Sequence, residues 1–278
     1  MSRLDMMIYR AWYGPLRRPV RAIARRIAGE ARIVLGPLKG RFFRGKELVC
    51  RMGIYELHVQ YLIRDLLDPG DVLYDIGANN GYLSLLGAQC TGPTGRVFSF
   101  EPLPANGDRI NALMNENRMT NFELVRMAVS DSAGEMEFFI GGDEDPYTPS
   151  LIRDRRSRSI KVMVTTIDEF VAGNPAPDLI KMDIEGAEVM AVKGADRLLA
   201  SPHAPKLLIE VHSQEIDQEI SSILRNHGYT LKTIRAPFDR RPYPNHLLAT
   251  KHTDERAQRN NHRHANLSAP ERDCRTAR

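Results

Sequence analysis

Asp75, Gly77, Asn79 and Gly81 stand at two-residue intervals inside DVLYDIGANNGYLSLLGAQC, between an apolar run and a helix-like one. Glycines at such a junction allow left-handed backbone and a close ligand approach that a Cβ would block, and the helix start adds free N–H donors. Glu101 closes the next apolar run. It stands about one dinucleotide-fingerprint spacing further on, where a carboxylate accepts both hydroxyl hydrogens of a ribose. The loop is not G-x-G-x-x-G, however, because Asn79 and Tyr82 occupy the places of the second and third glycines. A diphosphate is repelled by Asp75, whereas an α-ammonium and a sulfonium are suited by a nearby acid and mixed hydrogen-bond partners. That combination points to S-adenosylmethionine.

Three further apolar runs end on polar groups: Ser130 with Asp131, Asp183 with Glu185, and Glu210 with His212. In an open parallel sheet the ligand crevice lies outside the C-terminal strand ends, so these groups share a crevice with the loop. Chemistry on a hydroxyl needs a group that takes its proton, and a positioned Asp, Glu or His can do so. Asp183 is the first choice, with His212 or Glu185 as alternative bases. The preferred reading has no metal. The acids Asp183, Glu185 and Glu210 offer a weaker alternative, a divalent cation held chiefly by Asp183 and Glu210.

The elements that position these residues follow from an alternation. DVLYDIG, GRVFSFEP, FELVRMAVSD, DLIKMDIEG and KLLIEVH read as buried strands, and Tyr82 to Gln89, Ala105 to Glu116 and Ala187 to Leu199 read as helices. Such alternation is the mark of an α/β fold, a parallel sheet covered by helices. Two more strand-like runs, Glu135 to Ile140 and Ile160 to Thr166, flank GGDEDPYTPSLIRDRRSRS, an insertion expected to border the site. Its Arg153, Arg155, Arg156 and Arg158 select no single substrate class. The organisation expected is a basic amphipathic extension over 1–48, a catalytic domain over 49–250 and a disordered polar tail over 251–278.

YDIGANNGYLSL, FSFEPLPAN, MAVSD, VTTIDEF, DLIKMDIEGAE and LLIEVH, in this order and spacing, resemble the FkbM family of S-adenosylmethionine-dependent methyltransferases. The resemblance spans roughly Gly53 to Tyr229. It implies a three-layer, Rossmann-like class I methyltransferase fold with a seven-stranded, mostly parallel sheet. It also implies mainly oxygen methylation, on a sugar, glycan or natural product. Carried onto this chain, Asp75, Gly77, Asn79 and Gly81 form the methionine-side loop and Glu101 holds the ribose, with Asn106 near it. Val129, Ser130 and Asp131 border the adenine.

The chain has 278 residues, 42% of them hydrophobic, and a formal net charge of +4 that is concentrated near its two ends. Cys50, Cys90 and Cys274 are far apart and match no zinc-ligand pattern, which suits a reducing cytosol. No run is apolar enough to span a membrane, and no leader is evident, so a cytoplasmic protein is expected. Val20, Ile23, Ile27 and Val34 among many arginines describe a basic amphipathic helix, able to touch the anionic inner face of a membrane. A specific nucleic-acid partner is not expected, because the core lacks interleaved aromatic and basic residues. Two competing functions are a nicotinamide-dependent oxidoreductase and a non-catalytic membrane-binding protein on the same fold.

Overall fold

The computed structural model describes residues 3–13, 31–140, 158–237 and 242–251. Its centre is a seven-stranded sheet in the order β3-β2-β1-β7-β8-β10-β9. The strands are β1 (Val72–Ile76), β2 (Arg96–Phe100), β3 (Phe122–Val125), β7 (Leu179–Met182), β8 (Lys206–Val211), β9 (Thr230–Ile234) and β10 (Asn245–Thr250). The first five in the sheet order run parallel; β10 pairs antiparallel with both β8 and β9.

Alternate strand residues feed two cores, which makes the architecture three-layered. Leu73, Val97, Leu179 and Leu208 face one side, against α3 (Leu57–Leu66), α4 (Tyr82–Thr91) and α5 (Pro104–Glu116). Tyr74, Phe98, Ile180 and Ile209 face the other, against α7 (Glu188–Lys193), α8 (Asp196–Ala200) and α9 (Gln214–Asn226). Phe170, on α6 (Ile167–Gly173), meets the Tyr74, Phe98 and Phe100 rings at centroid distances of 5.4, 5.3 and 4.8 Å. Edge-on aromatic contacts of this kind add directional packing to the burial.

Two expected elements divide. FELVRMAVSD is two strands: Met127 N donates to Val125 O in a tight turn, and β4 (Ala128–Val129) leaves the main sheet. It joins a second sheet beside the hairpin of β5 (Gly134–Ile140) and β6 (Arg158–Thr165). The helix expected from Ala187 to Leu199 breaks at Gly194, where a Cβ would lie 2.2 Å from Ser130 O. Asp168 then accepts hydrogen bonds from Arg197 N and Leu198 N, capping the second half.

Before the sheet, α1 (Arg3–Tyr13) buries Tyr9 and Trp12 against Met52, Ile54 and Leu57, and Tyr61 donates a hydrogen bond to Asp5. Met52 ends α2 (Leu48–Met52), and Ile54 and Leu57 flank the turn into α3. The stretch with Val20, Ile23 and Ile27, the loop with Arg153, Arg155 and Arg156, the Arg158 side chain and the polar tail lie outside the described residues. Among the described residues no helix is long and apolar enough to cross a membrane.

Candidate active site

β1 ends at Ile76, and the chain turns through Gly77 at φ +81. A Cβ there would sit 1.9 Å from Asp183 O, so glycine is what lets the β1 loop lie directly on the β7 loop. Gly77 N and Ala78 N both donate to Phe100 O, and Asp183 N donates to Ile76 O. Three strand ends are thereby tied at one point. Asn79 takes a left-handed φ of 50, and Asn80 Oδ1 accepts from Tyr82 N, closing the start of α4.

A crevice of about 800 Å³, open to solvent, runs over this junction. On one side lies Glu101, 4% exposed, whose two carboxylate oxygens accept from Asn79 N at 2.9 Å and Leu103 N at 3.0 Å. Burial raises its carboxyl to about 7, against the pull of these hydrogen bonds. Each oxygen keeps a second lone pair, so a ribose diol still finds two acceptors. Asn106, also buried in the wall, lies close enough to help lower the Glu101 carboxyl, yet its Nδ2 completes no hydrogen bond of full geometry among the described residues. Met127, Ala128, Val129 and Phe138 make an apolar wall suited to a flat base. Glu101, the unpartnered amide and this wall fit the nucleoside of S-adenosylmethionine.

The opposite end of the crevice is acidic. Asp183 lines it and stands 3.8 Å from Lys181 Nζ and 3.6 Å from His212 Nε2. Burial alone would raise the Asp183 carboxyl, but Lys181 and His212 hold it well below the ordinary range. The His212 ring is shifted upward, first by Asp183 and also by Glu188, whose Oε1 lies 3.6 Å away. Glu188 is fully buried, and its Oε1 accepts from Ile184 N and Gly186 N, fixing the turn after β7. Nothing in the residue spacing singled out Glu188, although it closes the DLIKMDIEGAE motif.

Several expected site residues take other places. Asp75 does not face the crevice: it is 0% exposed, accepts a hydrogen bond from Ser84 Oγ, and lies 3.6 Å from Lys181 Nζ. It faces Lys181 across the β1–β7 pair, and its charge also helps to raise the Glu101 carboxyl. Ser130 is buried beneath Gly194, and Asp131 is exposed, accepting from the neighbouring Ser130 and Ser132 hydroxyls; neither is among the residues that line the crevice. The break after β3 carries both away from the main sheet. Glu185 lines the rim on a left-handed backbone, φ 56; its side chain is exposed and adds only a minor upward push on His212. Gly77, Asn79, Glu101, Asn106 and Asp183 do line the crevice. Gly81 sits on the α4 side of the loop, where a Cβ would meet Ile110.

The chain belongs to the FkbM methyltransferase family: the methyltransferase FkbM domain matches residues 75–231. It is 28% identical over 174 residues to hexuronic acid methyltransferase AglP of Haloferax volcanii, covering 59% of this chain and 67% of that one. It is 26% identical over 205 residues to 31-O-demethyl-FK506 methyltransferase FkbM of Streptomyces tacrolimicus, covering 62% and 77%. Identity to 2-O-methyltransferase NoeI of Sinorhizobium fredii is 30% over 183 residues, covering 59% and 71%. The protein is therefore a methyltransferase with S-adenosylmethionine as its methyl donor, and the nicotinamide alternative gives way to it.

Proposed function

We propose that this enzyme O-methylates a hydroxyl of a sugar, glycan or hydroxylated natural product. The observation that carries the reading is Asp183, an ionised carboxylate at the crevice end beyond the nucleoside subsite, with His212 directly behind it. The named relatives support the substrate class, since one acts on a hexuronic acid and another is a 2-O-methyltransferase.

Bound S-adenosylmethionine supplies a methyl already activated on a sulfonium, so the chain's own task is alignment and removal of one proton. Glu101 and Asn106 hold the ribose, and the Met127–Val129 wall with Phe138 holds the base. Asp183 accepts the hydrogen bond of the acceptor hydroxyl and orients its oxygen. Lys181, pinned between Asp75 and Asp183, keeps that carboxylate charged. As the hydroxyl proton leaves, Asp183 takes it, and His212 lies close enough behind to receive it next. Glu188 holds the His212 side of this pair. Glu185, at the rim, contacts the acceptor rather than the proton.

Incubation with methyl-labelled donor and a panel of uronic acids, oligosaccharides and hydroxylated natural products tests the reading. The expected product is a base-stable methyl ether; a base-labile ester, or no transfer to any hydroxyl, would overturn it. Asp183→Asn is expected to slow transfer by roughly 10²–10⁴-fold while changing donor Kd only a few-fold. The arginine-rich segment before Arg32 adds a peripheral contact with anionic membrane, placing the enzyme at the inner face of a membrane. Cosedimentation with phosphatidylserine vesicles that survives replacement of Arg17, Arg18, Arg21, Arg25 and Arg26 by glutamine would refute that part.

A further inference from the structure

Beside the acidic end of the crevice, three residues from distant segments converge: Glu56 at the start of α3, Glu210 on β8 and His246 on β10. One ligand atom from each lies within 4.8 Å of the others. His246 faces Glu210 across the β8–β10 pair, and its Nε2 stands 4.0 Å from Glu56 Oε2. The His246 residue is only 5% exposed, and its Nε2 has no hydrogen-bond partner among the described residues; nor has Glu56 Oε2. Buried polar atoms without partners are costly, and two that face each other at this spacing would both be satisfied by one bound ion. Glu56 also occupies the N-cap of α3 with a left-handed φ of 39, yet its carboxylate caps no helix N–H. It is turned to the cluster instead.

We propose that Glu56, Glu210 and His246 bind one divalent first-row transition ion, Zn²⁺ or Mn²⁺, beside the methyl-transfer end of the crevice. An imidazole nitrogen among carboxylates favours such ions over Mg²⁺ and Ca²⁺, which prefer oxygen alone. Ligand atoms around a tetrahedral ion with bonds of about 2.0–2.2 Å stand roughly 3.3 Å apart, so modest side-chain rotation closes the present spacing. Three protein ligands also leave a coordination position open. The neighbouring Asp183, Glu188 and His212 group also has unpartnered atoms, Asp183 Oδ1, Glu188 Oε2 and His212 Nε2, but Lys181 stands 3.8 Å from Asp183 and supplies there the positive charge that an ion would bring.

The test is metal binding by the full chain, so its outcome is independent of the acceptor and of methyl transfer. Chelator-stripped protein is dialysed against Zn²⁺ or Mn²⁺ and its metal counted by mass spectrometry. Glu56→Gln, Glu210→Gln and His246→Gln are compared, each checked for folding by circular dichroism. Every folded variant is expected to bind about one equivalent less than wild type, and Co²⁺-loaded wild type to show visible d–d bands that the variants lack. Any ion held by the tail histidines His252, His262 and His264 is common to all and cancels. Unchanged stoichiometry in the folded variants would overturn the proposal. So would loss of the equivalent in Glu188→Gln but not in Glu210→Gln, or preference for Mg²⁺ or Ca²⁺.

Discussion

At Glu101, donor affinity and protonation are one property. The carboxylate must accept both ribose hydroxyl hydrogens, so the donor selects the ionised form, whereas burial raises the carboxyl to about 7 and favours the neutral form. Binding therefore strengthens as pH rises through that value and levels off above it. Calorimetry should show donor affinity roughly tenfold weaker at pH 6 than at pH 8, one unit below the pKa against one above it. Glu101→Gln should lose this pH dependence and bind about 10–100-fold more weakly at pH 8, the worth of one charge-assisted hydrogen bond. A Gln variant with the wild-type pH profile would show that another group sets it. Glu101 was legible in the sequence because it ends an apolar run at a spacing with a stereochemical meaning. Asp75 was misleading for the same reason: its spacing placed it correctly on the strand, but the face it points to is set by Lys181 and Ser84, which spacing does not reveal.

At the scale of elements, the two loop glycines share a positive φ and differ in what a Cβ would meet. At Gly77 it would strike the Asp183 carbonyl at 1.9 Å; at Gly81 it would reach the Ile110 side chain at 3.0 Å. Side chains shift more cheaply than a paired backbone. Gly77→Ala is expected to cost about 3 kcal/mol or more, strain plus overpacking, and to weaken donor binding by separating the β1 and β7 loops. Gly81→Ala should cost roughly 1–2 kcal/mol, mainly the left-handed strain. Denaturant melts of the two variants check the order; equal costs would show that φ alone matters. β1, β2, β7 and β8 were legible because their residues are apolar on both faces, as strands at the middle of a parallel sheet must be. β9 and β10 were not, because their runs are short and alternate with polar residues. That concealed His246, and with it the Glu56–Glu210–His246 group, whose members are brought together only by the antiparallel return of β10 and the entry to α3. The course of β4 was hidden too, since the Met127 turn that diverts it lies within a continuous β-prone run.

Across the whole molecule, α1 packs onto the framework that carries the site. Trp12, 2% exposed, and Tyr9 pack on Met52, Ile54 and Leu57, which lie on either side of Tyr55 and Glu56. Tyr55 lines the crevice, and Glu56 enters the proposed metal group. The helix thus supports one wall of the crevice from behind, through packing rather than through any contact with ligand. Truncating a buried Trp to Ala costs about 3–5 kcal/mol. For a chain of this size that corresponds to a fall in Tm of roughly 6–15 °C. Because the loss falls on the turn bearing Tyr55, acceptor KM should rise more than donor Kd, the donor being held chiefly by Glu101, Asn106 and the Met127–Val129 wall on the far side. Calorimetry of Trp12→Ala, with donor titration and acceptor kinetics on the same preparation, separates the two effects. A large Tm loss with both constants unchanged would mean that the α2–α3 turn keeps its shape without α1. Equal loss in both would mean that the crevice opens as one unit, with the donor wall no more independent of the N-terminal helix than the acceptor wall.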